Sequence, residues 1–278
     1  MKSFGARVRE ALGAHGPLCV GIDPHAALLK EWGLDASAAG VREFGLRVVE
    51  AAAGRVGVVK PQVSFFERWG SAGFAALEDV LSAARAAGLI VIADAKRGDI
   101  GTTMDAYAAA WLTPGSPLEA DAVTVSPYLG VGSLASTFAL ALEHGKGAFV
   151  LAATSNPEAS ALQRAAAGGG SVAALVAHEV SRVNDGQPED DWASIGLVVG
   201  ATVDLREAGL AGGLGRPAPI LAPGFGAQGA TPADLPAVFG ALSARVVASE
   251  SRSILSAGPA RIAEAIAARA DEYRSTRG

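Results

Sequence analysis

Eight short, continuous apolar runs recur along the chain, at residues 18–22, 56–59, 89–93, 122–125, 148–151, 195–199, 220–222 and 246–248. None alternates apolar with polar residues in the manner of a strand with one wet face. A continuous apolar strand is buried on both faces, as in a parallel sheet covered by helices. Between the runs lie Ala-, Leu-, Glu- and Arg-rich stretches of helical period, clearest at 73–87 and 259–270. Eight β-then-α units predict an α/β chain closed into a (β/α)8, or TIM, barrel, with residues 1–278 forming a single domain. A doubly wound open sheet shares the alternation, but eight strands favour closure.

Helix punctuation fits this reading. Gly88 follows Ala87 as a helix-terminating glycine. Thr231-Pro232 reads as an N-cap followed by proline in the first helical position, and Gly258-Pro259 is expected to start the last helix in the same way. The stretches 165–170 and 184–191 read as loops around an extra helix after strand five, within a segment (163–192) of no evident role.

Composition excludes several function classes. The net charge is −5 and no arginine-rich stripe occurs, so nucleic acid is not an expected partner. No apolar run approaches the roughly 20 residues of a membrane-spanning helix. The N-terminus carries Lys2, Arg7, Arg9 and Glu10 without the apolar core of a secretory leader. One cysteine, Cys19, rules out an internal disulfide and fits a reducing compartment, so a cytoplasmic location is expected. Cys19 itself lies inside strand one and reads as a small core residue. The four histidines show no metal-ligand spacing; His25 reads as loop surface and His144 as a helix-end residue. Trp32, Trp69, Trp111 and Trp192 are too dispersed to form a stacking platform.

In a barrel, chemistry collects where strands end and βα loops begin. Those positions hold Asp23, Lys60, Asp94 with Lys96, Ser126, Ser155, Gly200, the loop from Gly224 to Gly229, and Ser251-Arg252. The strands are otherwise almost free of charge, and buried Asp and Lys are costly unless paired. Asp94 and Lys96, two apart, share a strand face if the strand is regular, and Lys60 approaches from the neighbouring strand. Asp99 lies beyond Gly98 at an odd spacing from Lys96. It reaches the site from the loop, or reaches a neighbouring subunit's site. The plain alternative is an ion-pair network that only closes the barrel, for which four charges are more than required.

The loop Pro223-Gly-Phe-Gly-Ala-Gln228-Gly229 matches a dinucleotide-type G-x-G-x-x-G spacing, a weak signal this near the C-terminus. As a barrel loop after strand seven it reads better as a phosphate site, with glycine N–H groups closing on an anion and Arg252 adding a bidentate cation.

Five segments, in order through nearly the whole chain, resemble the orotidine 5'-phosphate decarboxylase family, particularly its longer bacterial, mycobacterial-type (type 2) branch. They are Gly21-Ile-Asp23-Pro24, Lys60-Pro-Gln-Val-Ser-Phe-Phe-Glu67, Asp94-Ala-Lys-Arg-Gly-Asp-Ile-Gly-Thr-Thr103, Thr154-Ser-Asn-Pro157 and the Pro223 to Gly229 loop. The resemblance implies a homodimer with shared active sites that converts orotidine 5'-phosphate (OMP) to UMP and CO2, the last step of UMP synthesis. It implies a charged network of Lys60, Asp94, Lys96 and Asp99, with Lys96 the proton donor and Asp99 entering the partner's site. Asp23 would hold the ribose hydroxyls, Thr103 would reach the ribose from across the dimer, and Ser155 would read the pyrimidine amide edge. Gln228 and Arg252 would hold the phosphate, within a loop framed by Pro223 and Gly229. No metal, flavin or pyridoxal phosphate is called for. One departure is Ser251, where many relatives carry glycine, so the expected phosphate contact rests on Arg252. Two other functions compete: a Mg2+-dependent sugar-phosphate decarboxylase or epimerase, which needs further acidic ligands, and a non-catalytic nucleotide-binding protein.

Overall fold

The computed structural model describes residues 2–188 and 191–276. Eight strands close into a barrel: β1 (Leu18–Ile22), β2 (Val58–Pro61), β3 (Ile90–Arg97), β4 (Ala122–Val125), β5 (Gly147–Ala153), β6 (Ile195–Val199), β7 (Ile220–Pro223) and β8 (Val246–Glu250). Each is parallel to its neighbours, in the order β1-β2-β3-β4-β5-β6-β7-β8 with β8 returning to β1. The runs seen in the sequence are these strands, and β1, β2, β4, β6 and all but the last residue of β7 are buried throughout. Five continue past their apolar runs, β5, β7 and β8 by one or two residues. β2 extends to Pro61 and β3 to Arg97, so Lys60, Asp94 and Lys96 lie within strands rather than beyond their ends.

The helices that follow the strands or flank the barrel are α1 (Phe4–His15), α2 (Ala38–Ala52), α3 (Gly70–Ala86), α4 (Gly101–Leu112), α5 (Ala135–Glu143), α6 (Val172–Asp185), α7 (Leu235–Phe239) and α8 (Ile262–Ser275), with further short helical segments such as Ala26–Glu31 between them. α1 precedes the first strand and closes the bottom of the barrel. Its Phe4, Val8 and Leu12 belong to the inner cluster with Cys19, Val58, Ile92, Phe149 and Val247. The Phe4 and Phe149 rings meet edge to face at 5.9 Å, a geometry the aromatic quadrupoles favour. Arg7 holds α1 to the sheet through Asp121 at 2.5 Å, whose second oxygen accepts the Val91 N–H at 2.8 Å.

Three sequence expectations are corrected. The connection from β6 to β7 contains turns and no helix. Gly209, Gly212, Gly213, Gly215, Pro217 and Pro219 fall in it, and neither residue type supports a helix interior. The last helix begins at Ile262, not at Pro259, which sits in the preceding turn. The stretch 165–170 is not plain loop, because Ala166–Ala167 pairs antiparallel with Gly170–Ser171. In 184–191, Asn184 and Asp185 are the last turn of α6, while Glu189 and Asp190 lie outside the described residues. Two punctuation signals hold. Gly88 takes φ +76° directly after the helix, and Thr231 forms a reciprocal capping box with Asp234.

Candidate active site

A cavity of about 320 Å3 opens at the C-terminal ends of the strands, and Asp23, Lys60, Asp94, Lys96, Ser155, Pro223, Gln228 and Arg252 all line it. Its charged centre is Asp94. Lys60 donates to Asp94 Oδ2 at 2.7 Å and Lys96 to Oδ1 at 2.5 Å. Lys60 and Asp94 are 6% and 7% exposed, respectively, whereas the Lys96 side chain is half-exposed toward the cavity. Burial alone would raise the Asp94 pKa, but the two ammonium groups outweigh it and hold the carboxyl well below the usual carboxylate range. Burial alone would lower the Lys60 pKa, but attraction to Asp94 and Asp23 keeps it above the ordinary lysine value. Both groups are therefore ionised, as a buried charge must be when it is paired and hydrogen-bonded.

Asp94 and Lys96 do converge, but not by regular strand alternation. The β3–β4 register shifts between Ala93 and Arg97, and Lys96 has φ +49°, the only positive value of any non-glycine among the described residues. Such a conformation costs of order 1–3 kcal/mol and persists where its surroundings over-determine it. Thr124 does so here. Its Oγ1 accepts the Lys96 N–H at 2.9 Å and donates to Asp94 Oδ1 at 2.9 Å. Arg97, next in the string, turns away; it pairs with Glu67 at 2.9 Å and stacks over Tyr107.

The opposite wall carries the glycine loop. Ser155 Oγ, after β5, donates to Gln228 Oε1 at 3.0 Å across the cavity. Arg252 begins a short helix, Arg252–Leu255, beside that loop. Asp23 Oδ1 is buried without a hydrogen-bond partner, an unmet acceptor that a hydroxyl donor would satisfy.

Asp99, Thr103 and Gly229 do not line this cavity. Asp99 accepts the Ile100 N–H at 2.8 Å, Thr103 lies exposed in the first turn of α4, and Gly229 is exposed in its loop. Thr124, Gln62 and Ser249 line the cavity without having been singled out in the sequence. The signal for Thr124 and Ser249 was parity: each sits two residues beyond an inward-facing apolar residue, Ala122 or Val247. Ser126, the expected polar residue of strand four, instead packs behind Gly98.

Residues 16–266 match the model of the Orotidine 5'-phosphate decarboxylase / HUMPS family. This chain belongs to that family. Among its relatives, the Salinispora tropica orotidine 5'-phosphate decarboxylase is 55% identical over 260 residues, covering 93% of this chain and 92% of that protein. The Streptomyces coelicolor enzyme of the same name is 55% identical over 261 residues, with the same coverage. A Streptomyces avermitilis crystal structure superposes with a TM-score of 0.93 at 51% identity, covering 99% of this chain and 96% of that one. The Leishmania donovani OMP decarboxylase gives 0.74 at 31%, covering 98% and 99%. The chain is thus a carboxy-lyase of this family, decarboxylating OMP to UMP and CO2.

Proposed function

We propose that Lys96 delivers the proton that replaces CO2 at C6 of the pyrimidine, in a site shared between two copies of the chain. The observation that carries this reading is one buried carboxylate, Asp94, held between two ammonium groups, of which Lys60 is nearly buried and Lys96 is half-exposed toward the cavity. When the C6–carboxylate bond breaks, its electron pair stays on C6 as a vinyl carbanion with no adjacent carbonyl to delocalise it efficiently. The Lys96 ammonium stabilises that charge and transfers a proton to it; solvent then reprotonates the amine. At an effective dielectric of about 20, one such contact at about 4 Å contributes about 4 kcal/mol. Enzymes lower barriers by roughly 8–23 kcal/mol, so Lys96 needs help. Binding of the distant phosphate by Gln228 and Arg252 supplies it, by closing and preorganising the site. Asp94 fixes both lysines and lies beside the departing carboxylate. Asp23, with its unmet acceptor, takes a ribose hydroxyl, and Ser155 takes the pyrimidine amide edge.

In this reading residues 1–278 act as one catalytic domain in the cytoplasm, as a homodimer. Asp99 and Thr103 face out of their own cavity and complete the partner's. Support comes from the apolar residues beside them: Ile100, Tyr128 and Leu129 are 63%, 76% and 53% exposed on the loops after β3 and β4, a grouping that marks interaction surfaces. A lone buried cysteine, and no helix long and apolar enough to cross a membrane among the described residues, fit the location. The magnesium-dependent alternative needs a cluster of acidic ligands. Among the described residues no group of three His, Cys, Asp or Glu is placed to hold a metal ion.

Decarboxylation in D2O tests the proton step. UMP formed there is expected to carry deuterium at C6, from an exchangeable ammonium, and protium at C6 would contradict the reading.

A further inference from the structure

The barrel holds one buried carboxylate that the chemistry above does not use. Glu250 ends β8 and is 1% exposed. Val247 points into the barrel and Ser249 and Ser251 line the cavity, so Glu250 points outward, beneath the helices. Its Oε1 accepts from Ser253 Oγ at 2.7 Å and faces Arg269 Nε at 3.4 Å; its Oε2 accepts from the Tyr273 hydroxyl at 3.4 Å. Burial pushes the carboxyl above the usual range, and Ser253, Arg269 and Tyr273 offset part of that shift.

These contacts lead to the two halves of the phosphate grip, Ser253 directly and Tyr273 from α8. Ser253 lies on the short helix that Arg252 begins. The Tyr273 ring meets Phe225 edge to face at 5.7 Å, and Phe225 belongs to the glycine loop. Gly226, at φ +71°, lies directly on Glu250 Oε1 and Ser253 Oγ, so that any side chain there would collide with both. One carboxylate therefore supports the loop that carries Gln228 and the helix that carries Arg252, and ties both to α8. An unneeded buried acid costs free energy, and a neutral isostere could fill the same volume.

We propose that Glu250 is a positioning residue for phosphate recognition: from beneath, it sets the glycine loop and Arg252 relative to one another without touching substrate. The inference rests on the assignment of the phosphate to Gln228 and Arg252.

The test compares OMP with orotidine, which lacks the phosphate. Glu250→Gln is expected to lower kcat/KM for OMP about tenfold, chiefly through KM, as loss of a charge-assisted hydrogen bond predicts. Its effect on orotidine is expected to stay within about twofold. Equal losses on both substrates, or no loss on OMP, would overturn the proposal. Ser253→Ala and Tyr273→Phe keep the buried carboxyl and remove one link each. They are expected to show the same selectivity in smaller measure, and they decide the matter if Glu250→Gln does not fold. Arg252→Ala separates the two assignments. If it affects both substrates equally, the phosphate site is elsewhere and the Glu250 proposal falls with it. If it is selective for OMP while the Glu250, Ser253 and Tyr273 variants are not, the Glu250 proposal alone fails.

Discussion

Lys96 combines a strained backbone with an ammonium aimed at a buried carboxylate, and Thr124 is what makes the combination stable. Thr124→Val keeps the shape and removes the hydroxyl, leaving a Lys96 N–H and an Asp94 oxygen short of one partner. Chemical denaturation should show a loss of about 1–3 kcal/mol, with kcat falling as Lys96 relaxes. Asp94 shows how a pKa becomes a stability statement. Its folded pKa lies below the unfolded value, so its contribution is present above pH ~4 and is lost as pH falls through the folded value. Lys60 is the mirror case: its raised pKa keeps its contribution in place until pH climbs beyond the ordinary lysine value. kcat/KM is therefore expected to show no limb from either group between about pH 5 and about pH 9; a limb that disappears in Asp94→Asn would contradict this. Cys19, pushed by burial to a pKa of about 12, is expected to resist thiol reagents until the protein unfolds. At this scale the identities of Asp94, Lys96 and Lys60 were legible because charge inside an apolar strand is rare. The left-handed turn at Lys96 was not, because it depends on Thr124, a β-former whose hydroxyl looks unremarkable in the string Ala122-Val-Thr-Val125.

Among the elements, the strands were readable because burial on both faces keeps polar residues few and confines the charged ones to the C-terminal ends. The helices were less so. The connection after β6 was expected to carry one, and its glycines and prolines prevent it; the Gly258-Pro259 pair makes a turn one step before α8 instead of opening it. α1, outside the eight repeats, is an essential plug. Phe4→Ala empties a fully buried ring position against Phe149 and should cost about 3–5 kcal/mol. KM should stay near the wild-type value, since the plug and the cavity occupy opposite ends of the barrel. A large KM change at unchanged stability would show the two ends to be coupled.

For the whole molecule, closure of eight parallel strands places every βα loop on one rim, and Lys60 and Lys96, the glycine loop and the exposed apolar residues all follow from that placement. Asp99 and Thr103 stand outside their own cavity, and in the proposed dimer they complete the partner's site. Mixing inactive Lys96→Ala with inactive Asp99→Ala subunits should restore activity if the sites are shared, and a mixture as inactive as its components would assign each site to one chain.

Protonation of C6 by Lys96 is tested by Lys96→Ala, followed by the absorbance loss of OMP and by titration with UMP. Turnover is expected to fall by several orders of magnitude with UMP binding still measurable; retention of even about a tenth of the wild-type rate, a barrier change of only about 1.4 kcal/mol, would rule out Lys96 as the proton donor.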